Sequence, residues 1–513
     1  MRYPKRRSPC SAPRNHVFRH TSTDYKSQQN SVPNLRHAIL LSVRPSVFVL
    51  KNRGFAYLHE FACKAYLNCS SFPAACVVIF LGLIDPSTRR SEEAILSLTA
   101  VSLFSGCGGF CEGIELAGFD VKVAVEWDRF SCETYRFNFP KTPLFEGDIH
   151  DFLPRHGEDH RAKYKLNNVD LVFGGPPCQG FSQIGPRDLF DDRNELYQQY
   201  ARIVNDLKPR CFLMENVPNI LLMNKGHFRD AIIRHFAKMG YSNTTFVKVS
   251  AADFGVPQTR ERVFFFGTRD GEAMPIDIKA FALHILEGLK VDRPVTVAEA
   301  IGDLPSEVVP SGRTMPYQKA AKPSPYLKEM RLDERGKIYG TAAKRRRGLG
   351  PKDEVVLHNH HTKEIQEKRK KLIALLAPGA KADSLPKEIW NGARPEKWRR
   401  LHPDLPSYTI LAQMHRDLSE WVHPSEQRWI SVREAARLQS FHDGFVFRSS
   451  EWQMLKQIGN AVPPLLGRAV GLMAMALLNS ADNGSCSSPA SRQDNQKRMA
   501  THASALVNVL ESV

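Results

Sequence analysis

From Leu96 the chain alternates short apolar runs with helix-length segments, and this alternation constrains the fold more than any other feature. Residues 97–104, 121–126, 169–173, 210–214 and 262–267 are rich in Val, Leu and Phe and read as strands. Helical stretches at 110–117, 196–207 and 228–239 lie between them. Strands joined through helices predict an α/β fold with a doubly wound, mostly parallel sheet. Residues 96–275 are assigned to this first domain. Beyond about residue 275 the alternation fades into Pro-rich and Lys/Arg-rich sequence, including Lys344-Arg345-Arg346-Arg347, and a second, smaller domain is expected over 276–428. An amphipathic segment at 431–441 and an apolar helix at 465–478 then read as a return segment, 429–479, completing the first domain. The tail, 480–513, is polar and expected to be disordered.

Charge narrows the function. The 513 residues carry a net charge of +17, which points to a polyanionic partner, with nucleic acid the leading class. Part of that charge lies in residues 1–95, a basic, Ser- and Asn-rich stretch without helical or strand period that is expected to be disordered. No methionine occurs between Met1 and Met214, so a product beginning near Leu96 to Val101 would need another start codon. Ten cysteines without framework spacing predict a reducing compartment, and the lack of a CxxC pair argues against structural zinc. The apolar stretch at 74–84 is too short to span a bilayer, so a cytoplasmic, DNA-associated protein is expected.

Two constellations carry chemistry. After the first strand comes Phe104-Ser105-Gly106-Cys107-Gly108-Gly109, whose glycines let backbone approach a ligand. Glu126 ends the second strand twenty positions after Gly106, where a carboxylate accepts from ribose hydroxyls. Cys111 stands where a dinucleotide fingerprint needs its third glycine, so S-adenosylmethionine fits better than a nicotinamide cofactor. Asp148, in Gly147-Asp148-Ile149, is placed to take an adenine amino group, although an isolated aspartate also serves simply to form a turn.

The second constellation is Gly174-Gly175-Pro176-Pro177-Cys178-Gln179-Gly180-Phe181-Ser182, which sets a thiol at the carboxyl end of a buried strand. In open α/β sheets ligands bind at that rim. Glu215-Asn216-Val217 brings a carboxyl group to the same rim from the next strand. A thiol, an acid and a methyl donor fit one reaction, methylation of cytosine C5. Thiolate addition to C6, with an acid at N3, makes C5 an enamine nucleophile. Cys178 is then the nucleophile and Glu215 the acid, while no side chain identifies itself as the base that removes the C5 proton. Either residue alone could equally be packing.

The order of eight motifs resembles the DNA (cytosine-5)-methyltransferases of bacterial type: the Phe104–Gly109 run, Glu126-Trp127-Asp128, Gly147-Asp148-Ile149, the Cys178 loop, Glu215-Asn216-Val217, Gln258-Thr259-Arg260-Glu261-Arg262, Arg433-Glu434 through Arg437-Leu438-Gln439-Ser440-Phe441, and Gly459-Asn460-Ala461-Val462. It covers roughly 98–275 and 430–478. The resemblance implies a Rossmann-like class I methyltransferase that flips cytosine out of duplex DNA. It places S-adenosylmethionine against Phe104, Gly106, Gly108, Gly109, Glu126, Trp127, Asp148, Ile149, Pro177, Leu196, Asn460 and Val462. Arg262 would hold cytosine O2 and Arg260 would help anchor the loop, both counted with the catalytic set, while Gln179 and Ser182 would touch DNA.

Sequence reading by 276–428 is implied too, along with a monomer and an independent restriction endonuclease as partner in restriction-modification. His358-Asn359-His360-His361 lacks further ligands and reads as surface or packing rather than metal. An RNA methyltransferase of the same fold and a catalytically silent DNA-binding regulator are the alternatives. The first lacks its usual Cys-Phe-Thr tripeptide here, and the second sits poorly with an intact Cys178 and Glu215.

Overall fold

The apolar runs become neighbours in one seven-stranded sheet. Its strands are β1 (Thr99–Leu103), β2 (Asp120–Glu126), β3 (Leu144–Glu146), β4 (Leu171–Gly174), β5 (Cys211–Asn216), β6 (Thr245–Ser250) and, after the two-residue β7 (Gln258–Thr259), β8 (Glu261–Thr268). Their order is β3-β2-β1-β4-β5-β8-β6. β1 to β5 are parallel, whereas β8 runs antiparallel between β5 and β6. The computed structural model describes residues 98–154, 158–177, 195–272, 277–318, 322–340, 345–350, 354–390, 398–412 and 421–484. The expectations for residues 1–95 and for the tail beyond 484, and those for Cys178, Gln179 and Ser182, lie outside the described residues.

Both faces of the sheet are covered, which is why its strands are continuous apolar runs. On one face lie α3 (Glu195–Leu207) and α4 (His227–Lys238), with Tyr200, Val204, Ile232 and Phe236 packed on Phe212 and Met214. Phe212 stacks on Phe236 with centroids 4.0 Å apart, and burying one such ring contributes about 1.5–3 kcal/mol. On the other face lie α1 (Gly109–Leu116), α5 (Ile278–Gly288) and α8 (Pro464–Gly484), while α2 (Arg129–Asn138) follows β2. α8 lies in the segment apolar enough by composition to cross a bilayer, yet its Leu466, Val470 and Met473 belong to this core.

The composition shift near residue 275 does not mark a change of core. Val297, Ile301, Tyr326 and Met330 pack with the main sheet, because α5 and the turns after it lie against the same apolar layer as α8. A separate small core begins only at Ile365 and gathers Ile373, Leu376, Trp398, Val422 and Trp429.

The return segment differs from its amphipathic reading. Every residue of α6 (Val432–Leu438) is buried, Arg433, Glu434 and Arg437 included. A polar face could be buried because each charge has a partner. Arg437 forks onto Asp443 at 2.8 and 2.7 Å and also meets Asp303. Arg433 donates to the carbonyls of His358, His442 and Phe445. Glu434 closes a capping box with Ser431 and receives both Nη atoms of Arg428, at 2.9 and 2.7 Å. The histidine run packs into this joint: His360 lies 2.8 Å from Pro305 O and 3.0 Å from Ser431 Oγ, and burial pushes His361 down to about 4.

α1 and α8 touch through glycine. A Cβ on Gly113 would sit 2.5 Å from Pro464 O and 2.6 Å from Arg468 N. Helix propensity favours Gly113→Ala by about 1 kcal/mol, but overpacking against backbone outweighs it. Urea denaturation should therefore show net destabilisation of about 1–3 kcal/mol. Acid should attack the return segment. Against the upward push of burial, Arg428 holds Glu434 down to about 2, and Arg437 does the same for Asp443. Both folded pKa values lie below the unfolded ones, so this stabilisation is complete above the ordinary carboxylate range and is lost as pH falls toward about 2. Asp443→Asn should lower Tm at neutral pH and flatten the fall in Tm between about pH 5 and about pH 2.

Candidate active site

Parallel strands deliver their carboxyl ends to one edge, and the antiparallel β8 delivers its amino end to the same edge. Gly174 lies against β1 so closely that a Cβ would be 2.2 Å from Leu103 O. The chain then leaves the sheet through Gly175-Pro176-Pro177 beside Glu215, whose Oε2 lies 2.8 Å from where a Gly175 Cβ would be. Asn216 Nδ2 donates to Pro176 O at 3.3 Å and holds this exit. From β8, Arg262 Nε meets Glu215 Oε1 at 2.7 Å, with both side chains largely buried. Arg262 Nη1 also donates to Glu261 O at 2.7 Å. Glu215, Arg262 and the Gly175-Pro176 exit that leads toward Cys178 are thus brought together.

The glycine-rich turn is shaped by left-handed backbone. Phe104, Gly106 and Gly108 have φ of 55°, 57° and 104°. Phe104 pays roughly 1–2 kcal/mol for this as a non-glycine, a strain typical of functional sites. Gly106 N–H donates to Glu126 Oε2 at 2.7 Å, and the N–H groups of Trp127 and Asp128 donate to Oε1 at 3.0 and 2.9 Å. Burial pushes the Glu126 carboxyl up while these three donors pull it down. The Trp127 indole is 75% exposed beside that carboxylate. A Cβ at Gly109 would lie 2.6 Å from Val462 O, so the turn after α7 (Glu451–Asn460) meets the glycine turn. Asn460 is exposed there and Val462 buried. Asp148 stands two residues past β3, Ile149 is buried, Leu196 is half-buried at the start of α3 and Pro177 is exposed.

Arg260 does something other than touch the rim. It is buried, and donates to Ile410 O at 3.0 Å, Gly459 O at 3.0 Å and Ala461 O at 3.1 Å, which makes it a positioning residue rather than a catalytic one. Its neighbour Gln258 donates to Leu438 O and Gln439 Oε1, and accepts from Ile410 N. Gln439 in turn donates to Ile458 O and Ala461 O. Sequence reasoning missed both glutamines, although each lies inside a quoted motif. The described cysteines, Cys107, Cys111, Cys132 and Cys211, are all buried, and burial pushes each thiol up to about 12. Burial thus disfavours the thiolate at each of them.

Comparison with known proteins shows the family. The model of the family described as C-5 cytosine-specific DNA methylase matches residues 98–474. The type II methyltransferase M.AgeI of Thalassovita gelatinovora is 32% identical over 422 residues, covering 73% of this chain and 98% of the relative. M.XorII of Xanthomonas oryzae pv. oryzae is 35% identical over 390 residues, covering 74% and 84%. A crystal structure described as a DNA modification methyltransferase encoded within an E. coli prophage superposes with a TM-score of 0.59 at 28% identity, covering 75% of this chain and all of that one. The chain belongs to the C-5 cytosine-specific DNA methylases, enzymes that transfer a methyl group from a donor to C5 of cytosine in DNA.

Arg260→Met should strip the donor from Ile410 O and Gly459 O, while Ala461 O keeps Gln439. At about 1–3 kcal/mol for each unsatisfied group, the loss in urea denaturation should reach about 2 kcal/mol or more. Arg262→Met removes the cation paired with a largely buried carboxylate, so it too should unfold at a lower urea concentration than the wild type.

Proposed function

We propose that the chain methylates C5 of a flipped-out cytosine in a specific duplex DNA sequence, with S-adenosylmethionine as donor and Cys178 as nucleophile. The single observation that carries this reading is the Glu215–Arg262 pair beside Gly175-Pro176-Pro177. The donor site fits a nucleoside: Glu126 is fixed by three backbone donors, leaving its carboxylate placed for hydroxyls, and the exposed Trp127 indole offers an unpaired aromatic face. Open space over Gly106, where a Cβ would meet nothing within 4 Å, leaves room for the ligand. Phe104, Gly108, Gly109, Asp148, Ile149, Pro177, Leu196, Asn460 and Val462 line the same cleft in this reading. When bound, S-adenosylmethionine supplies an electrophilic methyl group.

The protein supplies the rest. Every described cysteine of the catalytic domain is buried, and in sequence Cys178 directly follows the exposed Pro177 at the rim. Its thiolate adds to C6, Glu215 engages N3, and Arg262 holds O2 with a planar guanidinium that stays charged. C5 then takes the methyl group as its bond to the donor sulfur breaks, leaving S-adenosylhomocysteine; a base removes the C5 proton, and the Cys178–C6 bond breaks to release the ring. Gln179 and Ser182 contact the DNA around the extruded base. Extrusion costs a few kcal/mol, which phosphate contacts from a basic protein help to offset.

We place sequence recognition within 276–428, in the part built on the small core from Ile365 to Trp429. One chain carries every motif residue from Phe104 to Val462, which supports action as a monomer. The type II names of the relatives support pairing with an independent restriction endonuclease.

The test is expression with plasmid DNA followed by bisulfite sequencing. Wild-type protein should leave 5-methylcytosine at one recurrent sequence, Cys178→Ser should lose at least about 10³-fold in rate, and Glu215→Gln about 10²- to 10⁴-fold. Unmodified DNA from folded wild-type protein would reject the function. Equal modification by Cys178→Ser would reject the nucleophile.

A further inference from the structure

Two stretches that the cofactor reading assigns to the methyl donor come from separate parts of the chain and contact each other. One is the turn after β3, with Asp148 and Ile149, and the other is the first turn of α3, with Glu195 and Leu196. A single imidazole joins them. His150 Nδ1 lies 2.5 Å from Asp148 Oδ1, and His150 Nε2 lies 2.8 Å from Glu195 Oε1, the latter a close ion pair rather than an aligned hydrogen bond. The His150 backbone N–H also donates to Asp148 Oδ1, at 3.0 Å. Two contacts from one residue therefore fix that carboxylate, with Oδ2 left for an exocyclic amine.

An imidazolium donates from both nitrogens, whereas a neutral ring has one donor and one acceptor and can satisfy only one of two carboxylates. The charged groups around His150 favour the imidazolium. Its hydrogen bond to Asp148 raises its pKa, partial burial opposes this, and the charges of Asp148 and Glu195 add to the rise. Arg202, the other charged group from α3 at this turn, is occupied by the carbonyls of Ile149 and Phe152 and by Asp206.

We propose that His150 is a positioning residue for the methyl donor, holding Asp148 for the adenine amino group and fastening the first turn of α3 beside it. This rests on the reading of the cleft as the S-adenosylmethionine site. The side chains of His150, Asp148 and Glu195 are 34%, 50% and 60% exposed, so water screens both pairs and the effect on affinity is modest. The bridge is present below the pKa of His150 and lost as pH rises through it.

The experiment is calorimetric titration of S-adenosylhomocysteine into the whole protein between about pH 6 and about pH 9, a window spanning imidazole titration. His150→Ala should raise Kd about three- to tenfold at the acid end, with the gap narrowing at the alkaline end, where the neutral ring keeps only one of its two partners. Turnover at saturating donor should stay within about twofold, since the residue touches no reacting atom. His150→Arg, permanently charged, should keep the affinity and lose the pH dependence that distinguishes wild type from His150→Ala. Matching Kd values for wild type and His150→Ala across the range would overturn the proposal. So would a folded His150→Arg that binds as weakly as His150→Ala. Failure of the wild type to bind S-adenosylhomocysteine at all would instead reject the cofactor reading beneath it.

Discussion

One buried guanidinium holds the rim together. Arg260 belongs to the link between β7 and β8, yet its three hydrogen bonds end on Ile410, Gly459 and Ala461, carbonyls from two other stretches of the chain. Burial disfavours its charge and pushes its pKa down, and the three carbonyls that accept from it oppose that push. Together with Gln439, that anchor holds the turn at Gly459 to Val462 where it touches the glycine turn at Gly109. Arg262 lies two residues further on, so the same strand start that fixes the cleft also sets the Glu215 pair.

The return segment works by a related principle at greater energetic cost. Taking Arg433, Glu434, Arg437 and Asp443 out of water costs several kcal/mol for each ion, and apolar residues of similar volume could fill the space at least as stably. Buried ion pairs instead fix geometry. Arg437 can satisfy both Asp443 and Asp303 in only one register of α6 against the segment near residue 303. Arg433 likewise needs the carbonyl of His358 on one side and those of His442 and Phe445 on the other. A joint of this kind sets where the segments that support the small second core leave the main sheet.

These same residues mark where residue order stops being legible. Strand runs, the glycine turn, Glu126 and the Glu215 rim could be read because each follows from local composition or from position after a strand. The antiparallel course of β8 could not, since an apolar run of Val263 to Phe266 is alike in either direction. Nor could the burial of α6, because helical periodicity assigns charge to the solvent side and cannot see an aspartate that arrives from Asp303 or Asp443. Arg260 and Arg262 are indistinguishable as letters in Gln258-Thr259-Arg260-Glu261-Arg262, and grouping them as one catalytic set was the natural outcome. Only tertiary contacts separate a guanidinium that ends on backbone carbonyls from one that ends on a carboxylate. Composition misled in one place, near residue 275, where a change of amino-acid usage coincides with no change of core.

The pairing of Glu215 with Arg262 bears on how a flipped base would be received. N3 and O2 are adjacent atoms on the pairing edge of cytosine, so the groups that engage them must also be adjacent. An acid and a guanidinium brought to the rim by separate strands would have to be ordered when the base arrived. Here they are held 2.7 Å apart beforehand by strands in register, Asn216 opposite Val263. Reorganisation at the moment of reaction is the cost that preorganised sites avoid. Extrusion of the base already consumes a few kcal/mol of the binding energy. A receptor that needed further ordering would subtract from the same balance, and the antiparallel placement of β8 is the feature of the fold that removes that need.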